Sequence, residues 1–155
     1  MKPNRTLIVC FSTHHGNTRK VVDALAAEHD EITVVDIRDA AQVNLSDYTL
    51  IGLASGIYYG HFGKPLISWA ETLPSGSRVF TLYTYGAKRD GYVNDINEVL
   101  RKRNCRIAGS FGCPGYDTFG PFRLIGGIAK GHPTPTDIRQ ASSFYEHLKK
   151  KERIS

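Results

Sequence analysis

The sequence predicts an α/β protein in which a five-stranded, doubly wound parallel sheet lies between two layers of helices. Short apolar, β-branched runs alternate with longer amphipathic segments along the whole chain, which is the pattern of βαβ units. A length of 155 residues suits a single domain spanning 1–155, because a chain of this size can form one ordinary core. Hydrophobic residues make up 41% and charged residues 23%, as expected of a globular protein.

The first half of the chain contains three of the predicted strands. Residues 6–11 (TLIVCF) form the first, and a helix follows over about 17–29, where apolar side chains recur at helical spacing. The second strand is expected at 32–37. The third, at 49–54 (TLIGLA), is almost wholly apolar, which predicts a central strand covered on both faces.

The second half continues the alternation. A helix over about 65–72 opens with a proline in its first turn, a fourth strand follows at 78–84, and the next helix covers 92–102. A fifth strand at 107–112 leads into a long connection rich in glycine and proline, and a closing helix covers 136–150. With right-handed crossovers, the strand order is 2-1-3-4-5, and ligands bind beyond the carboxyl ends of the strands, between the first and the third.

Charge, hydropathy and cysteine content exclude several classes of protein. The net charge of +5 is scattered apart from the lysines at 149–151, and no nucleic-acid motif accompanies it. No apolar run approaches the roughly 18 residues that cross a bilayer, so we expect no membrane span. Cys10, Cys105 and Cys113 form no CxxC pair, which argues against zinc. They suit a reducing cytosol, so we expect a cytoplasmic protein with core cysteines.

The loop after the first strand leads directly into a helix and is predicted to bind a phosphate group. Backbone N–H groups and the positive end of the helix dipole favour an anion there. Hydroxyls and an amide add donors, and Gly16 lets the backbone curl closely. The phosphate loops GxxxxGK[ST] and GxGxxG are both absent. The alternative is a helix capped by Thr13 or Asn17 without a ligand. The predicted residues are Ser12, Thr13, His14, His15, Gly16, Asn17 and Thr18.

The pattern hydroxyl-x-x-Gly-Asn-Thr, which Thr13 to Thr18 match, resembles the phosphate loop of flavodoxins. The order of elements agrees over the whole chain, so the resemblance implies a flavodoxin-like fold that binds FMN. His15 stands where flavodoxins commonly have threonine, and His14 precedes it. Because an imidazolium adds positive charge, we expect FMN affinity to rise as pH falls through about 6.5. A metal site at these adjacent histidines is the weaker alternative, since no third ligand is evident.

The loop after the third strand, 55–63 (SGIYYGHFG), is rich in glycine and aromatic residues. Exposed aromatic side chains indicate a flat partner, and an isoalloxazine ring is one. In flavodoxins this loop supplies an aromatic side chain and a glycine carbonyl that turns toward flavin N5. The resemblance implies Tyr58 or Tyr59, with Gly60 or Gly56; alternatively, the aromatics pack into a cluster of their own. The predicted cofactor-binding residues are Ser55, Gly56, Ile57, Tyr58, Tyr59 and Gly60.

The segment after the fourth strand occupies the place where flavodoxins bind the pyrimidine edge of the flavin with backbone N–H groups. The resemblance assigns Thr84, Tyr85 and Gly86 to this edge, with Tyr85 as a cover for the second face of the ring. A surface turn is the alternative.

The connection 113–133 is longer than most joins of its kind, and long ordered loops are often functional. We predict that Tyr116 and Asp117, followed by Thr118 and Phe119, approach the cofactor. Lys130 and His132 are expected near its rim. A structural flap with a short helix at 122–129 is the alternative.

Three functions follow from this site. The first is an FMN-binding electron-transfer protein in which no side chain acts as acid or base, working with a redox partner protein or a small electron acceptor. The second is an FMN-dependent reductase that passes hydride from NAD(P)H to a quinone or a similar acceptor. The third is a flavin-free binding domain that keeps the fold. The basic charge departs from flavodoxins, which are generally acidic.

Overall fold

A computed structural model describes residues 4–13, 16–116 and 126–154 of the chain. Strands and helices alternate along it. The strands are β1 (Thr6–Phe11), β2 (Ile32–Asp36), β3 (Leu50–Tyr58), β4 (His61–Phe62), β5 (Arg78–Tyr85) and β6 (Arg106–Pro114). The helices are α1 (Asn17–Glu28), α2 (Lys64–Ala70), α3 (Asn94–Lys102) and α4 (Pro135–Ile154).

The five longer strands are parallel and lie in the order β2-β1-β3-β5-β6. The short β4 lies off this path. When the five long strands are numbered without it, their order is 2-1-3-4-5, so the predicted doubly wound sheet is confirmed. β1 lies between β2 and β3, with Cys10 opposite Asp36 on one side and Ala54 on the other. The strand order reverses here, so a crevice forms at the carboxyl ends of β1 and β3.

Helices cover both faces of the sheet, and each face has its own apolar cluster. Because successive side chains of a strand point to opposite faces, Ile8 and Cys10 of β1 pack with residues of α1 and α4. Leu7 and Val9 point the other way and pack with residues of α2 and α3. All four side chains are at most 1% exposed. This double burial explains the nearly continuous apolar sequence of the central strands.

The prediction that the third strand ends at Ala54 was wrong. β3 continues to Tyr58 and then pairs antiparallel with β4, which the prediction lacked. The two strands are joined by Tyr59 and Gly60, whose φ angles are 52° and 85°. Positive φ at both central residues is the geometry of a tight hairpin turn. Because tyrosine rarely adopts such an angle, the residues Tyr59 and Gly60 did not indicate a turn in the sequence.

Two 3-10 turns, Ile37–Gln42 and Leu45–Asp47, join β2 to β3. No helix within the described ranges combines the length and the apolar character needed to cross a membrane.

Two of the three cysteines lie in the core, as expected. Cys10 and Cys113 are each 1% exposed, while Cys105 is partly exposed. Burial raises the pKa of the Cys10 and Cys113 thiols to about 12. Both thiols are therefore protonated at neutral pH, as suits small core residues rather than reactive nucleophiles.

Candidate functional site

A cleft opens at the carboxyl ends of β1, β3, β5 and β6, at the switch point of the sheet. We call it the β1–β3 cleft. Nine of its ten lining residues are among the predicted cofactor-binding residues. The lining residues are Thr13, Asn17, Gly56, Ile57, Tyr58, Thr84, Tyr85, Gly86, Gly115 and Tyr116.

Neither of the two residues expected to cap α1, Thr13 and Asn17, does so in the structure. α1 begins after Gly16, which has a φ of 65° and provides no side-chain cap. Neither Thr13 nor Asn17 caps the helix, because Thr13 bonds to Tyr58 and Asn17 bonds to Tyr116. Ser12 instead accepts a hydrogen bond of 3.3 Å from the backbone N–H of Arg19. The capping alternative therefore does not account for these two residues.

Thr18 connects the start of α1 to the end of β5. Its hydroxyl lies 2.7 Å from the hydroxyl of Thr84, and both side chains are buried. This buried pair holds the first turn of α1 against the sheet. The hydroxyl of Thr18 is therefore directed at β5, and its predicted role as a phosphate donor is not visible in this structure.

The hydroxyl of Tyr58 binds the donors of the phosphate loop. It accepts hydrogen bonds from the backbone N–H of Thr13 at 3.0 Å and from the Thr13 hydroxyl at 2.8 Å. The ring packs edge-on against Phe11, with centroids 5.4 Å apart. A Cβ atom on Gly56 would lie 3.0 Å from the Tyr58 oxygen, so glycine there gives the ring room. One oxygen atom thus accepts the two donors that the sequence assigned to a phosphate.

Asn17 is held in the cleft wall by the segment that follows β6. Its Nδ2 donates to the carbonyl of Tyr116 at 2.7 Å. Its Oδ1 is buried and has no hydrogen-bond partner among the described residues. An unpaired buried acceptor costs about 1–3 kcal/mol, so a donor placed beside this atom would stabilise the protein.

Gly115 is the cleft residue that the sequence did not reveal. A Cβ atom at this position would lie 2.8 Å from Nδ2 of Asn17, which is too close for any other residue. Its backbone N–H donates to the carbonyl of Tyr85 at 2.8 Å. The Pro-Gly pair at the end of a predicted strand was the available sign of a turn at the site.

An aromatic cluster supports the cleft on the side of β5. The rings of Tyr83, Tyr85 and Tyr92 lie with centroids 6.0 Å apart in each pair. The Tyr92 hydroxyl donates to the carbonyl of Ala87. Burial raises the pKa of Tyr83 and Tyr85, so both remain neutral phenols at physiological pH.

The β3–β4 hairpin separates the two tyrosines that the prediction could not distinguish. Tyr58 lines the cleft, whereas Tyr59 lies at the turn and is 84% exposed. Gly60 shares that turn. Ser55 is buried and accepts a hydrogen bond of 2.9 Å from the N–H of Gly63, which braces the hairpin rather than lining the cleft.

The segment after β6 brings Tyr116 to the cleft, as predicted. The N–H of Tyr116 donates to the carbonyl of His132 at 3.0 Å. Nδ1 of His132 lies 2.6 Å from Oδ2 of Asp137. Lys130 and His132, predicted at the rim, line a neighbouring cavity together with Tyr116. The predicted residues His14, His15 and Asp117, and also Thr118 and Phe119, lie outside the described residues.

Comparison with known proteins agrees with this architecture. A family model described as a flavodoxin domain matches residues 8–108. An uncharacterised protein of Methanocaldococcus jannaschii is 30% identical over 152 residues, covering 94% of this chain and 99% of that protein. A protoporphyrinogen IX dehydrogenase [quinone] of Leishmania major is 32% identical over 105 residues, covering 61% of this chain and 46% of that protein.

Among solved structures, oxidised flavodoxin 2 from Bacillus cereus superposes with a TM-score of 0.67 at 18% identity. The match covers 95% of this chain and 99% of that one. At such low identity the similarity shows the fold. The family model, which spans well over half of the sequence, shows the relationship: this chain belongs to the flavodoxin family.

Proposed function

We propose that this protein binds FMN in the β1–β3 cleft and uses it to transfer electrons. The observation that carries the proposal is Oδ1 of Asn17, a buried acceptor in the cleft wall without a partner among the described residues. Because an unpaired buried acceptor is costly, a ligand with hydroxyl donors is expected beside it. The ribityl chain of FMN carries such hydroxyl groups.

The phosphate end of the proposed site is formed by Thr13 and the start of α1. Thr13 presents a backbone N–H and a hydroxyl, which the Tyr58 hydroxyl accepts in this structure. In the proposal, a phosphate oxygen replaces the Tyr58 hydroxyl. The N–H groups and the dipole at the start of α1 add to the attraction for the anion. The ring of Tyr58 then remains as an aromatic surface for the flavin.

The described residues that line the cleft are poor acids and bases, so in this proposal they bind and orient the cofactor. Bound FMN supplies one-electron and two-electron chemistry. None of the ten described lining residues is a carboxylate, an imidazole or a lysine. The phenol of Tyr85, whose pKa burial raises, stays protonated. Such a site suits electron transfer that needs no proton relay from the protein.

A quinone-linked FMN enzyme is the second candidate. It is favoured by the similarity to a relative named as a quinone-dependent protoporphyrinogen IX dehydrogenase. That similarity covers 61% of this chain and 46% of the relative, so the substrate of the relative is not assigned here. The candidate requires that a donor or acceptor reach the flavin without a partner protein.

Anaerobic reduction of the FMN-loaded protein separates these functions. For a carrier, NADH and NADPH alone leave the flavin absorption unchanged, while addition of a separate flavodoxin reductase bleaches it. Bleaching by either nucleotide alone, followed by reoxidation on addition of a quinone, would contradict the carrier and support the enzyme. Purified protein that is colourless and does not bind added FMN would contradict both, and would favour a flavin-free binding domain.

A further inference from the structure

A second cavity lies beside the β1–β3 cleft. Its volume is about 380 Å³, within the range of about 300–1,000 Å³ that small-molecule sites occupy. α1 provides one wall and the segment after β6 provides the other. The cavity is lined by Lys20, Tyr116, Lys130, Gly131, His132 and Pro133.

The charged side chains of this cavity are mainly cationic. Neither Lys20 nor Lys130 forms a salt bridge within residues 4–13, 16–116 and 126–154. Asp137, the carboxylate bonded to His132 of the lining, is already engaged. Its Oδ2 lies 2.6 Å from Nδ1 of His132 and accepts from the N–H of Thr134 at 2.7 Å. Within the described residues, no carboxylate pairs with either ammonium group.

Tyr116 lines both this cavity and the proposed flavin site, so the two adjoin at this residue. The carbonyl of Tyr116 accepts from Nδ2 of Asn17 in the wall of the cleft. Lys20 belongs to the first turn of α1, where its N–H donates to the carbonyl of Gly16 at 3.0 Å. A ligand held by Lys20 would thus lie next to the phosphate end of the flavin site.

We propose that this cavity is an anion-binding subsite for the second substrate, a small redox molecule that carries a phosphate or a carboxylate group. The inference rests on the second candidate of the proposed function, the FMN enzyme, because a small substrate is placed beside a bound flavin. It adds a specificity element: Lys20 and Lys130 select an anionic donor or acceptor over its uncharged counterpart.

The test compares two double variants that remove the same charge. Lys20→Gln/Lys130→Gln alters the subsite. Lys102→Gln/Lys150→Gln alters exposed lysines near the carboxyl ends of α3 and α4, at the opposite end of the sheet from the cleft. Circular dichroism and thermal unfolding establish that both variants fold.

Binding is measured by calorimetry on oxidised, FMN-loaded protein with ligands that do not reduce it. The phosphate arm compares nicotinamide mononucleotide with nicotinamide riboside, which lacks only the phosphate, and the carboxylate arm compares 1,4-naphthoquinone-2-carboxylate with 1,4-naphthoquinone. In at least one arm the anionic ligand binds more tightly to the wild type. The subsite variant loses the two ion pairs that Lys20 and Lys130 would form with this ligand, so its affinity for the ligand is expected to fall about tenfold. In the control variant, and for the ligand that lacks the phosphate or carboxylate group, the affinity changes by less than about twofold. The arm that responds identifies the source of the anionic group.

Three results would overturn the inference. The first is equal weakening in both double variants, which would reflect net charge alone. The second is the absence of any preference for the anionic ligand in both arms. The third is an equal loss of FMN affinity in the subsite variant, which would assign the lysines to the flavin phosphate. A wild type that binds no FMN would refute the proposed function and the inference with it, whereas FMN binding without anion preference refutes the inference alone.

Discussion

The contacts of single residues in the β1–β3 cleft could be predicted only in part from the sequence. The sequence motif predicted that Asn17 and Thr13 bind a phosphate group. It could not show that Asn17 pairs with the carbonyl of Tyr116, because that contact joins residues 99 positions apart. Nor could it show that Tyr58 accepts from Thr13, since this depends on the hairpin returning the ring to the loop.

Asn17→Ala tests the unpaired acceptor. The variant loses a hydrogen-bond acceptor for the ligand, so the Kd for FMN is expected to rise about tenfold. It also loses the bond to the Tyr116 carbonyl, and the free energy of unfolding without ligand is expected to fall by about 1 kcal/mol. Flavin fluorescence quenching and urea titration provide the two measurements.

Asn97→Ala is the matched control for this variant. Asn97 lies on α3, and its Oδ1 is also buried without a partner among the described residues. It does not line the cleft. Its removal should leave the Kd for FMN within about twofold of the wild type, a difference under about 0.4 kcal/mol. Equal Kd values for the Asn17 and Asn97 variants would contradict the role of Asn17.

Tyr58→Phe tests whether the hydroxyl competes with the ligand. The variant keeps the ring but removes the oxygen that accepts from Thr13. Thr13 then has free donors, so the Kd for FMN is expected to fall severalfold. The ligand-free protein should lose about 0.5–1.5 kcal/mol of stability. Tyr59→Phe removes a hydroxyl from a neighbour that does not line the cleft, and it should leave the Kd for FMN unchanged. Weaker FMN binding in Tyr58→Phe would instead show that the hydroxyl contacts the cofactor.

Elements that follow periodicity were predicted well, and elements that depend on unusual backbone angles were not. The apolar runs of β1 and β5 and the helical spacing of α1 located these elements within one residue. The β3–β4 hairpin was missed because its turn uses Tyr59 at positive φ. The start of α4 at Pro135 follows from a reciprocal cap: the N–H of Asp137 donates to the Thr134 hydroxyl, and the N–H of Thr134 donates to Asp137.

Asp137→Asn tests this cap through the pH dependence of stability. Burial would raise the pKa of Asp137, but hydrogen bonds from Thr134 and His132 outweigh it and lower the pKa below its ordinary value of 3.8. The carboxylate therefore stabilises the fold above about pH 4 and loses this effect as pH falls through the lowered pKa.

At pH 7 the Asp137→Asn variant should have a free energy of unfolding that is about 1 kcal/mol below that of the wild type. Below about pH 4 the difference from wild type should shrink. Urea titrations at about pH 7 and about pH 3 measure both values. Asp30→Asn, at an exposed turn, is the control and should follow the wild type at both. If the free energy of unfolding of Asp137→Asn lies as far below that of the wild type in acid as at neutral pH, the charge of Asp137 does not contribute to the cap.

For the molecule as a whole, the order of the strands followed from alternation and handed crossovers, and the structure confirmed it. That order alone located the crevice. The residues that line the crevice depend on which loops meet there. The role of Gly115 became apparent only from its close approach to Asn17 in the structure. Two of the basic side chains, Lys20 and Lys130, line a cavity beside the cleft.

The proposed site holds FMN by its phosphate as well as by its ribityl chain. Titration of flavin-free protein with FMN and with riboflavin, followed by fluorescence quenching, tests this directly, because the two ligands differ only in the phosphate. A charge-assisted phosphate site worth about 1.5–3 kcal/mol predicts FMN binding that is at least about tenfold tighter. Equal affinity for the two flavins, or binding of neither, would contradict the assignment of the cleft to FMN.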